Sequence, residues 1–218
     1  MTALGGVTLK LATSLDGRIA TASGESRWIT GELARRAGHE LRAAHATVMV
    51  GIQTALADDP ELTVRLDGYA GAQPARVVLD SRQRLPPASH LAQSAARTPT
   101  WIATTGAPDP ALAALGVKIM QVAGDAAGRP DPARVLSALA GQGLSSVLIE
   151  GGGQVAASFL RAGLVDRIEW FRAPMILGEE GRPGVGALAL DRLADAPRFE
   201  RREVQVLGPD LWERYERV

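Results

Sequence analysis

Short apolar runs alternate with amphipathic stretches along most of the chain. Each run is rich in valine, isoleucine or leucine and is bounded by glycine, proline or polar clusters, which is typical of a buried strand. These predicted strands cover residues 7–12, 46–50, 76–80, 100–104, 117–122 and 144–149. Strands that alternate with helices predict an α/β fold with a mainly parallel sheet that helices cover on both faces.

The helices between these strands are predicted from apolar periodicity and from their start signals. Asp109-Pro110 and Asp131-Pro132 each place an aspartate at an N-cap position and a proline at the first helical position. Thr30 suits the N-cap of a helix whose apolar stripe includes Leu33, and residues 53–57 predict a short helical turn.

The C-terminal part of the chain departs from this alternation. Residues 165–173 predict a longer strand, and residues 174–186 predict a glycine-rich loop. Residues 199–206 and 211–218 then predict a final antiparallel pair at the edge of the sheet. Because composition does not change along the chain and no repeat is present, we expect a single domain over residues 1–218.

A glycine turn, Ile-Glu-Gly-Gly-Gly-Gln at residues 149–154, joins a predicted strand to the helix that follows. Glycine lets the backbone approach a phosphate, and the first N–H groups of a helix point toward such an anion. The dinucleotide pattern G-x-G-x-x-G is absent, because residues 155–157 are Val-Ala-Ala. Two interpretations stay open here: a phosphate cradle, and a tight connection that uses glycine for steric reasons alone.

Composition limits the kinds of partner that the protein is expected to bind. Lysine plus arginine equals aspartate plus glutamate, at 24 residues each, so no global field attracts nucleic acid or an anionic membrane. The chain has no cysteine, and its three histidines lack metal-binding spacing, so we expect no metal site. No segment reaches the roughly 18 apolar residues of a membrane span, and no signal-peptide pattern is present. We therefore expect a soluble, cytoplasmic protein.

Polar residues follow four of the predicted strands, at residues 12–16, 51–59, 80–84 and 150–154. In a parallel sheet, ligands collect at the carboxyl ends of the strands. Asp80 could bind a ribose 2′-hydroxyl, whereas Arg82 and Arg84 favour the 2′-phosphate of NADP, unless these arginines are merely solvated.

Two arginines and one glutamate are candidates for a second ligand. Arg42 and Arg65 are the best candidates for a substrate phosphate, because a guanidinium group binds phosphate with two parallel hydrogen bonds. Glu150 would repel a phosphate, so it either contacts a ring N–H of the substrate or stabilises the N-terminus of the following helix.

Six segments together resemble the reductase domain of the riboflavin-biosynthesis enzyme RibD. They are residues 9–18 (LKLATSLDGR), 22–30 (ASGESRWIT), 56–65 (LADDPELTVR), 78–81 (VLDS), 149–153 (IEGGG) and 173–178 (APMILG). The resemblance implies a dihydrofolate-reductase-like α/β fold, with a mainly parallel mixed sheet flanked by helices and antiparallel strands at the C-terminal edge. It also implies NADPH-dependent reduction of 5-amino-6-(5-phosphoribosylamino)uracil, by hydride transfer to C1′ of the ring-opened ribose imine.

The same resemblance implies roles for individual residues. The implied NADPH contacts are Ala12, Trp28, Thr54, Asp58, Ser81, Gly152, Gly153, Gln154, Val155, Ala156, Ala157 and Ser158. The implied contacts to the phosphorylated pyrimidine substrate are Ser26, Arg42, Leu62, Arg65 and Glu150. Lys10, Asp16 and Glu150 are candidates for a catalytic proton transfer, with no assignment among them.

Two other functions stay open at this point. One is a reductase of the same fold that acts on a pterin or another heterocycle, which would leave the arginines without a phosphate. The other is a non-catalytic nucleotide-binding module.

The resemblance also bears on domain content and assembly. RibD proteins usually carry an N-terminal zinc deaminase with a Pro-Cys-x-x-Cys signature, and this chain has no cysteine. We therefore expect a single reductase domain that cannot deaminate, either standing alone or excised from a longer protein. The family implies a homodimer, for which residues 167–171 (RIEWF) offer aromatic surface unless that strand is buried.

Overall fold

The computed structural model describes residues 6–144 and 146–218 of the chain, and strands and helices alternate between residues 47 and 161. The strands are β1 (Val7–Thr13), β2 (Arg18–Ala20), β3 (Thr47–Gly51), β4 (Ala75–Leu79), β5 (Thr100–Thr104), β6 (Lys118–Gln121), β7 (Val147–Gly151), β8 (Arg167–Arg172), β9 (Arg182–Pro183), β10 (Phe199–Leu207) and β11 (Asp210–Arg217). The helices are α1 (Glu32–Ala43), α2 (Ile52–Asp58), α3 (His90–Gln93), α4 (Pro110–Ala114), α5 (Pro132–Gly141) and α6 (Gly153–Arg161), with a 3-10 turn at Leu193–Asp195.

The described chain divides into two compact units. The first unit contains residues 40–148, and the second contains residues 6–39 together with residues 149–218. The expectation of one domain over residues 1–218 stays a prediction. Residues 1–5, which also enter the expectation about a signal peptide, lie outside the described residues.

In the first unit, four parallel strands lie in the order β3-β4-β5-β6. Val50 of β3 pairs with Val78 of β4, which pairs with Ile102 of β5, and all three are at most 1% exposed. Successive side chains of a strand point to opposite faces, yet Val77 and Val78 are both fully buried. Both faces of this sheet are therefore covered at β4, which fits the largely apolar sequences of β3, β4 and β5.

Two helices of the first unit begin as their sequence predicts. The Asp109 carboxylate accepts a hydrogen bond from the Ala111 amide at 2.8 Å, at the start of α4. The Asp131 carboxylate accepts one from the Arg134 amide at 2.9 Å, at the start of α5. Both N-caps are therefore confirmed.

In the second unit, four strands lie in the order β10-β11-β8-β1. β1 is parallel to β8, whereas β11 is antiparallel to both β8 and β10. The buried Glu169 of β8 accepts hydrogen bonds from the Trp212 indole at 2.7 Å and from Arg214 Nε at 2.9 Å. These two partners on β11 satisfy a carboxylate that would otherwise be costly to bury.

The predicted fold class is confirmed. Four of the strand pairs described above are parallel, helices separate the strands of the first unit, and β10 with β11 forms the antiparallel C-terminal pair.

The predicted start of α1 is wrong by one residue. The helix begins at Glu32, and its first backbone hydrogen bond runs from the Arg35 amide to the Gly31 carbonyl. Gly31, rather than Thr30, therefore precedes the first turn, and its amide donates to Asp210 at 2.6 Å. Leu33, which was expected on the apolar stripe, is 53% exposed.

Short elements occur in three segments for which the sequence predicted no helix or strand. α3 lies within residues 85–99, β2 lies within residues 18–28, and β9 lies within residues 174–186. Elements of two to four residues carry too little periodicity to be recognised from sequence. The strand predicted over residues 144–149 begins at Val147, and Ser145 lies outside the described residues.

The aromatic side chains of β8 are covered. Phe171 is fully buried and stacks on Trp212 with 5.2 Å between ring centroids. The Trp170 indole donates to the Thr13 hydroxyl at 2.8 Å. Because Phe171 is fully buried and Trp170 is half-buried, the prediction that residues 167–171 offer aromatic surface is wrong.

Candidate functional site

The glycine turn lies in the second unit, where it links β7 to α6. Gly152 has φ of +91°, a conformation that favours glycine, and no side chain caps the helix at this position. A Cβ atom on Gly153 would lie 2.5 Å from the Pro183 carbonyl oxygen and 3.3 Å from the Gly186 amide nitrogen. Packing against residues 183–186 therefore requires Gly153 independently of any ligand.

The start of α6 also presents backbone donors. Its first helical hydrogen bond runs from the Ala156 amide to the Gly152 carbonyl at 3.0 Å, so the amides of residues 153–155 precede the ladder. Val155, Ala156 and Ala157 are buried, and the Ser158 hydroxyl donates to the Val155 carbonyl at 2.8 Å. A ligand at this turn would therefore meet backbone atoms and the exposed Gln154 side chain.

Asp16 ties two loops of the second unit together. Its carboxylate accepts hydrogen bonds from the Ser14 hydroxyl at 2.6 Å, the Leu177 amide at 3.1 Å and the Gly178 amide at 2.8 Å. These bonds, that of Ser14 above all, lower the pKa of Asp16 from 3.8 to about 2. The geometry explains Asp16 as the link between the 14–17 turn and residues 177–178.

Lys10 lies on β1, beside Glu169 of β8 in the strand register. Its ammonium nitrogen is 5.8 Å from the centroid of the Phe171 ring. A Cβ atom on Gly38 of α1 would lie 3.8 Å from Lys10 Cε, so the absence of a side chain at Gly38 leaves room for the lysine stem. Ala12 follows on the same strand and is half-buried.

An exposed tryptophan and an arginine form a pair before and within α1. The Trp28 side chain is 65% exposed, and the Arg35 guanidinium carbon lies 4.5 Å from its ring centroid. Arg35 Nη1 also donates to the Thr30 carbonyl at 2.9 Å, which holds the guanidinium group over the ring. Ser26 and Glu150, the substrate candidates of this unit, are both half-buried.

In the first unit, α2 carries Thr54 and Asp58 and is followed by residues 59–65, which we call the 59–65 loop. Asp59 and Leu62 have φ of +38° and +55°, so this loop is held in a backbone conformation that non-glycine residues rarely adopt. Leu62 is 3% exposed, so its side chain anchors the loop to the core of the unit.

Side chains from outside the 59–65 loop hold it in place. Gln73 accepts from the Val64 amide at 2.7 Å and donates to the Val64 carbonyl at 3.1 Å. The His90 amide donates to the Asp59 carboxylate at 2.9 Å, and the His90 ring contacts the Asp59 carbonyl at 3.0 Å. Asp59 raises the pKa of His90 through this backbone contact and through its charge.

The 59–65 loop brings two candidate phosphate ligands together. Arg42 Nη1 donates to the Thr63 carbonyl at 2.8 Å, and Arg65 lies two residues further along the loop. Arg65 Nη1 pairs with the Glu61 carboxylate at 2.9 Å, which lowers the pKa of Glu61. The 59–65 loop therefore carries Leu62 and Arg65 and contacts the side chain of Arg42, and their role as substrate contacts stays a prediction.

The burial and contacts of the residues that follow β4 differ from what the sequence predicts. Asp80 is fully buried and accepts a hydrogen bond from the Leu85 amide at 2.9 Å, so the prediction that it binds a ribose hydroxyl is wrong. Arg84 Nε lies 3.9 Å from the Asp80 carboxylate. Arg82 is exposed and makes no hydrogen bond or ion pair with the described residues, and Ser81 beside it is half-buried.

The structure therefore divides the predicted site residues between the two units. Arg42, Thr54, Asp58, Leu62, Arg65 and Ser81 belong to the first, and Lys10, Ala12, Asp16, Ser26, Trp28, Glu150 and residues 152–158 to the second. The assignment of these residues to ligands stays a prediction. Sequence reasoning missed the side chains that hold the 59–65 loop, although a charged residue inside the apolar strand β4, Arg76, was a visible signal.

Among the described residues, no group of three histidine or acidic side chains could hold a metal ion. Within the same residues, no helix is long and apolar enough to cross a membrane.

Comparison with known proteins places this geometry in a family. The RibD C-terminal domain family matches residues 6–212. The riboflavin biosynthesis protein RibD of Bacillus amyloliquefaciens is 38% identical over 210 residues, which cover 94% of this chain and 55% of that protein. The chain thus spans about half the length of this relative.

A second relative matches along nearly its whole length. The 2,5-diamino-6-ribosylamino-4(3H)-pyrimidinone 5′-phosphate reductase of Methanothermobacter thermautotrophicus is 41% identical over 207 residues, which cover 94% of each chain.

Among solved structures, RibD of Acinetobacter baumannii has a TM-score of 0.86 at 34% identity, covering 99% of this chain and 58% of that one. Dihydrofolate reductase of Enterococcus faecalis has a TM-score of 0.54 at 14% identity, covering 100% of this chain and 99% of that one. The second likeness concerns the fold alone and confirms a dihydrofolate-reductase-like fold.

Proposed function

Because this chain belongs to the RibD C-terminal domain family, we propose that it reduces 5-amino-6-(5-phosphoribosylamino)uracil to the ribitylamino product with NADPH. The observation that carries the proposal is the 59–65 loop, which gathers Arg42 and Arg65 in a chain 41% identical to a named pyrimidinone 5′-phosphate reductase. A guanidinium group on the loop and a second one, from α1, that contacts the loop suit the phosphate of such a substrate, since each can bind it bidentately.

The residues of the chain fit a dinucleotide in two places. In the second unit, the amides of residues 153–155 and the bare backbone of Gly152 and Gly153 form a cradle for a phosphate at the start of α6. In the first unit, Ser81 and the exposed Arg82 follow β4, where a guanidinium group favours a 2′-phosphate and thus NADPH over NADH. Ala12, Trp28, Thr54 and Asp58 complete the proposed cofactor contacts.

When bound, NADPH would supply the hydride that reduces C1′ of the ring-opened ribose imine, and the residues of the chain would bind and orient cofactor and substrate. Arg42 and Arg65 hold the phosphate, while Ser26, Leu62 and Glu150 contact the rest of the substrate. Of the three proton-transfer candidates, Asp16 is committed to three hydrogen bonds within the second unit. We therefore assign any proton transfer to Lys10 or Glu150.

A substrate that retains a 2-amino group is the second candidate. The match over 94% of an enzyme named for the 2,5-diamino-pyrimidinone phosphate favours it, since that compound differs from the uracil at the pyrimidine ring. Glu150, as a carboxylate, could accept a hydrogen bond either from the ring N–H of the uracil or from the 2-amino group.

The test uses purified protein and NADPH deuterated at C4 of the nicotinamide, with each pyrimidine phosphate in turn. We expect NADPH oxidation and deuterium at C1′ of the ribityl product by mass spectrometry, with faster turnover for the uracil. Dihydrofolate and the dephosphorylated uracil riboside are controls. Absence of turnover with both pyrimidine phosphates contradicts the proposal, and turnover of dihydrofolate alone supports the pterin-type reductase.

We also propose that the protein is a homodimer. Support comes from β10, the outer strand of its sheet in the second unit, where Val204 is 46% and Val206 is 74% exposed. Light scattering should give twice the mass of the chain, and a monomer with native activity would contradict the proposal. Cytoplasmic location stays a prediction.

A further inference from the structure

Arg76 is a buried cation that the proposed chemistry does not use. It is the second residue of β4 and is only 1% exposed, although arginine side chains are almost never fully buried unless paired. Burial lowers the pKa of Arg76 to about 10, so the group stays protonated at neutral pH.

Five hydrogen bonds compensate for this burial, and none of their acceptors is a carboxylate. Nη1 donates to the Glu61 carbonyl at 3.1 Å and to the Ser94 hydroxyl at 2.8 Å. Nη2 donates to the Leu91 carbonyl at 3.4 Å, the Thr98 carbonyl at 2.7 Å and the Thr100 hydroxyl at 2.5 Å. The acceptors belong to three separate segments, namely the 59–65 loop, residues 91–98 and β5.

Of these contacts, the one to Glu61 connects Arg76 to the loop that is proposed to bind the substrate phosphate. Glu61 directly precedes Leu62, whose φ of +55° must be maintained by contacts from outside the loop. Two residues after Glu61, the Thr63 carbonyl accepts the hydrogen bond from Arg42, and four residues after it Arg65 pairs with the Glu61 carboxylate. The segment that begins at Glu61 therefore contacts the side chain of Arg42 at Thr63 and carries Arg65.

A second route links Arg76 to the start of the same loop. The Ser94 hydroxyl, which accepts from Arg76, donates to the His90 carbonyl at 2.5 Å. His90 in turn holds Asp59 through its amide and its ring. Arg76 thus contacts the loop directly at Glu61 and indirectly at Asp59.

We propose that Arg76 is a positioning residue, which holds the 59–65 loop so that Arg42 and Arg65 are aligned for the substrate phosphate. The alignment step rests on the proposed function, whereas the effect on the loop does not. Arginine suits this role because its planar fork directs four N–H groups of Nη1 and Nη2 at fixed angles, which an ammonium group cannot reproduce.

The test compares Arg76→Met and Arg76→Lys with Val77→Ala, a matched control at the next, fully buried position of the same strand. For Arg76→Met we expect KM for the pyrimidine phosphate to rise about tenfold, the loss typical of a misaligned charge-assisted contact. KM for NADPH should stay within about twofold of the wild-type value, because the substitution should leave cofactor binding undisturbed. Arg76→Lys should fall between the wild type and Arg76→Met.

Two further measurements separate positioning from general destabilisation. The rise in KM should shrink with the dephosphorylated uracil riboside, because that compound lacks the group that the arginines bind. Val77→Ala should lower Tm without raising KM for the phosphate substrate. Equal increases in both KM values, or the same KM pattern in Val77→Ala, would overturn the proposal.

Hydrogen exchange provides a readout that does not depend on the substrate. Amides of residues 61–65 should exchange faster in both Arg76 variants, whereas those of β5 and β6 should be unchanged in Arg76→Lys. If the wild type has no activity toward either pyrimidine phosphate but this pattern is seen, the proposed function fails and the loop-holding role stands. Unchanged exchange in residues 61–65 in Arg76→Lys contradicts the role itself.

Discussion

The substitution Gly153→Ala tests whether packing, independently of any ligand, determines the glycine turn. The added Cβ would lie 2.5 Å from the Pro183 carbonyl oxygen, whereas ordinary contacts begin at 3.4 Å, so one side must move by about 0.9 Å. The neighbouring atoms are backbone, which cannot rotate away as a side chain can. The Gly186 amide, which donates to the Gly153 carbonyl at 2.8 Å, would be displaced at the same time.

The expected cost follows from these contacts. Overpacking of this kind costs about 1–3 kcal/mol, and a weakened backbone hydrogen bond adds about 1 kcal/mol. Alanine in place of glycine at a helix position offsets up to about 1 kcal/mol of this loss in the free energy of unfolding. The net destabilisation is about 1–3 kcal/mol, which at about 3 °C per kcal/mol lowers Tm by about 3–9 °C.

The assay is thermal unfolding of the ligand-free protein, followed by circular dichroism. Gly141→Ala is the matched control, because Gly141 is the last residue of α5 and an added Cβ would meet nothing within 4 Å. The control should leave Tm unchanged or raise it slightly. The reasoning is refuted if Gly153→Ala unfolds at the same temperature as Gly141→Ala without added ligand.

Three further predictions concern charges. Asp16 contributes stability that is fully present above its unfolded pKa of 3.8 and is lost as pH falls toward about 2. Asp16→Asn should therefore remove that part of the pH dependence of the free energy of unfolding. An unchanged dependence on pH in the acid range would contradict this prediction. The pKa of His90 is raised above 6.5, so its contact with Asp59 stabilises fully below pH 6.5 and weakens as pH rises through the folded pKa. Hydrogen exchange in residues 59–65 should therefore increase with pH more in the wild type than in His90→Gln, after correction for intrinsic exchange, and parallel curves would count against it. Arg82→Ala should raise KM for NADPH while leaving KM for NADH unchanged, and equal effects on both would argue against a 2′-phosphate contact.

The order and type of the main elements could be predicted because the interactions that specify them are local. The carboxylates of Asp109 and Asp131 cap amides two and three residues away, and β3 and β4 are largely apolar runs. Such patterns are visible in any short window of the chain.

The residues of the candidate site could be predicted better than the contacts that hold them in place. Arg42 and Arg65 were selected for their chemistry, but only the structure shows that the Thr63 carbonyl joins Arg42 to the loop that carries Arg65. Asp80 shows the converse, because a polar residue after a strand looked available for a ligand and is in fact buried against the Leu85 amide.

The sequence by itself determined the α/β pattern, the helix caps and a set of residues suited to phosphate, because each depends on neighbours a few residues away. Only the tertiary structure decided what the glycine turn packs against, since residues 183–186 reach Gly153 across about thirty residues of chain. It also decided that Arg76 holds a loop fifteen residues earlier and that Asp16 binds amides more than 160 residues later. The steric and phosphate interpretations of the turn are therefore compatible, because packing accounts for Gly153 while the amides of residues 153–155 still precede the helical ladder.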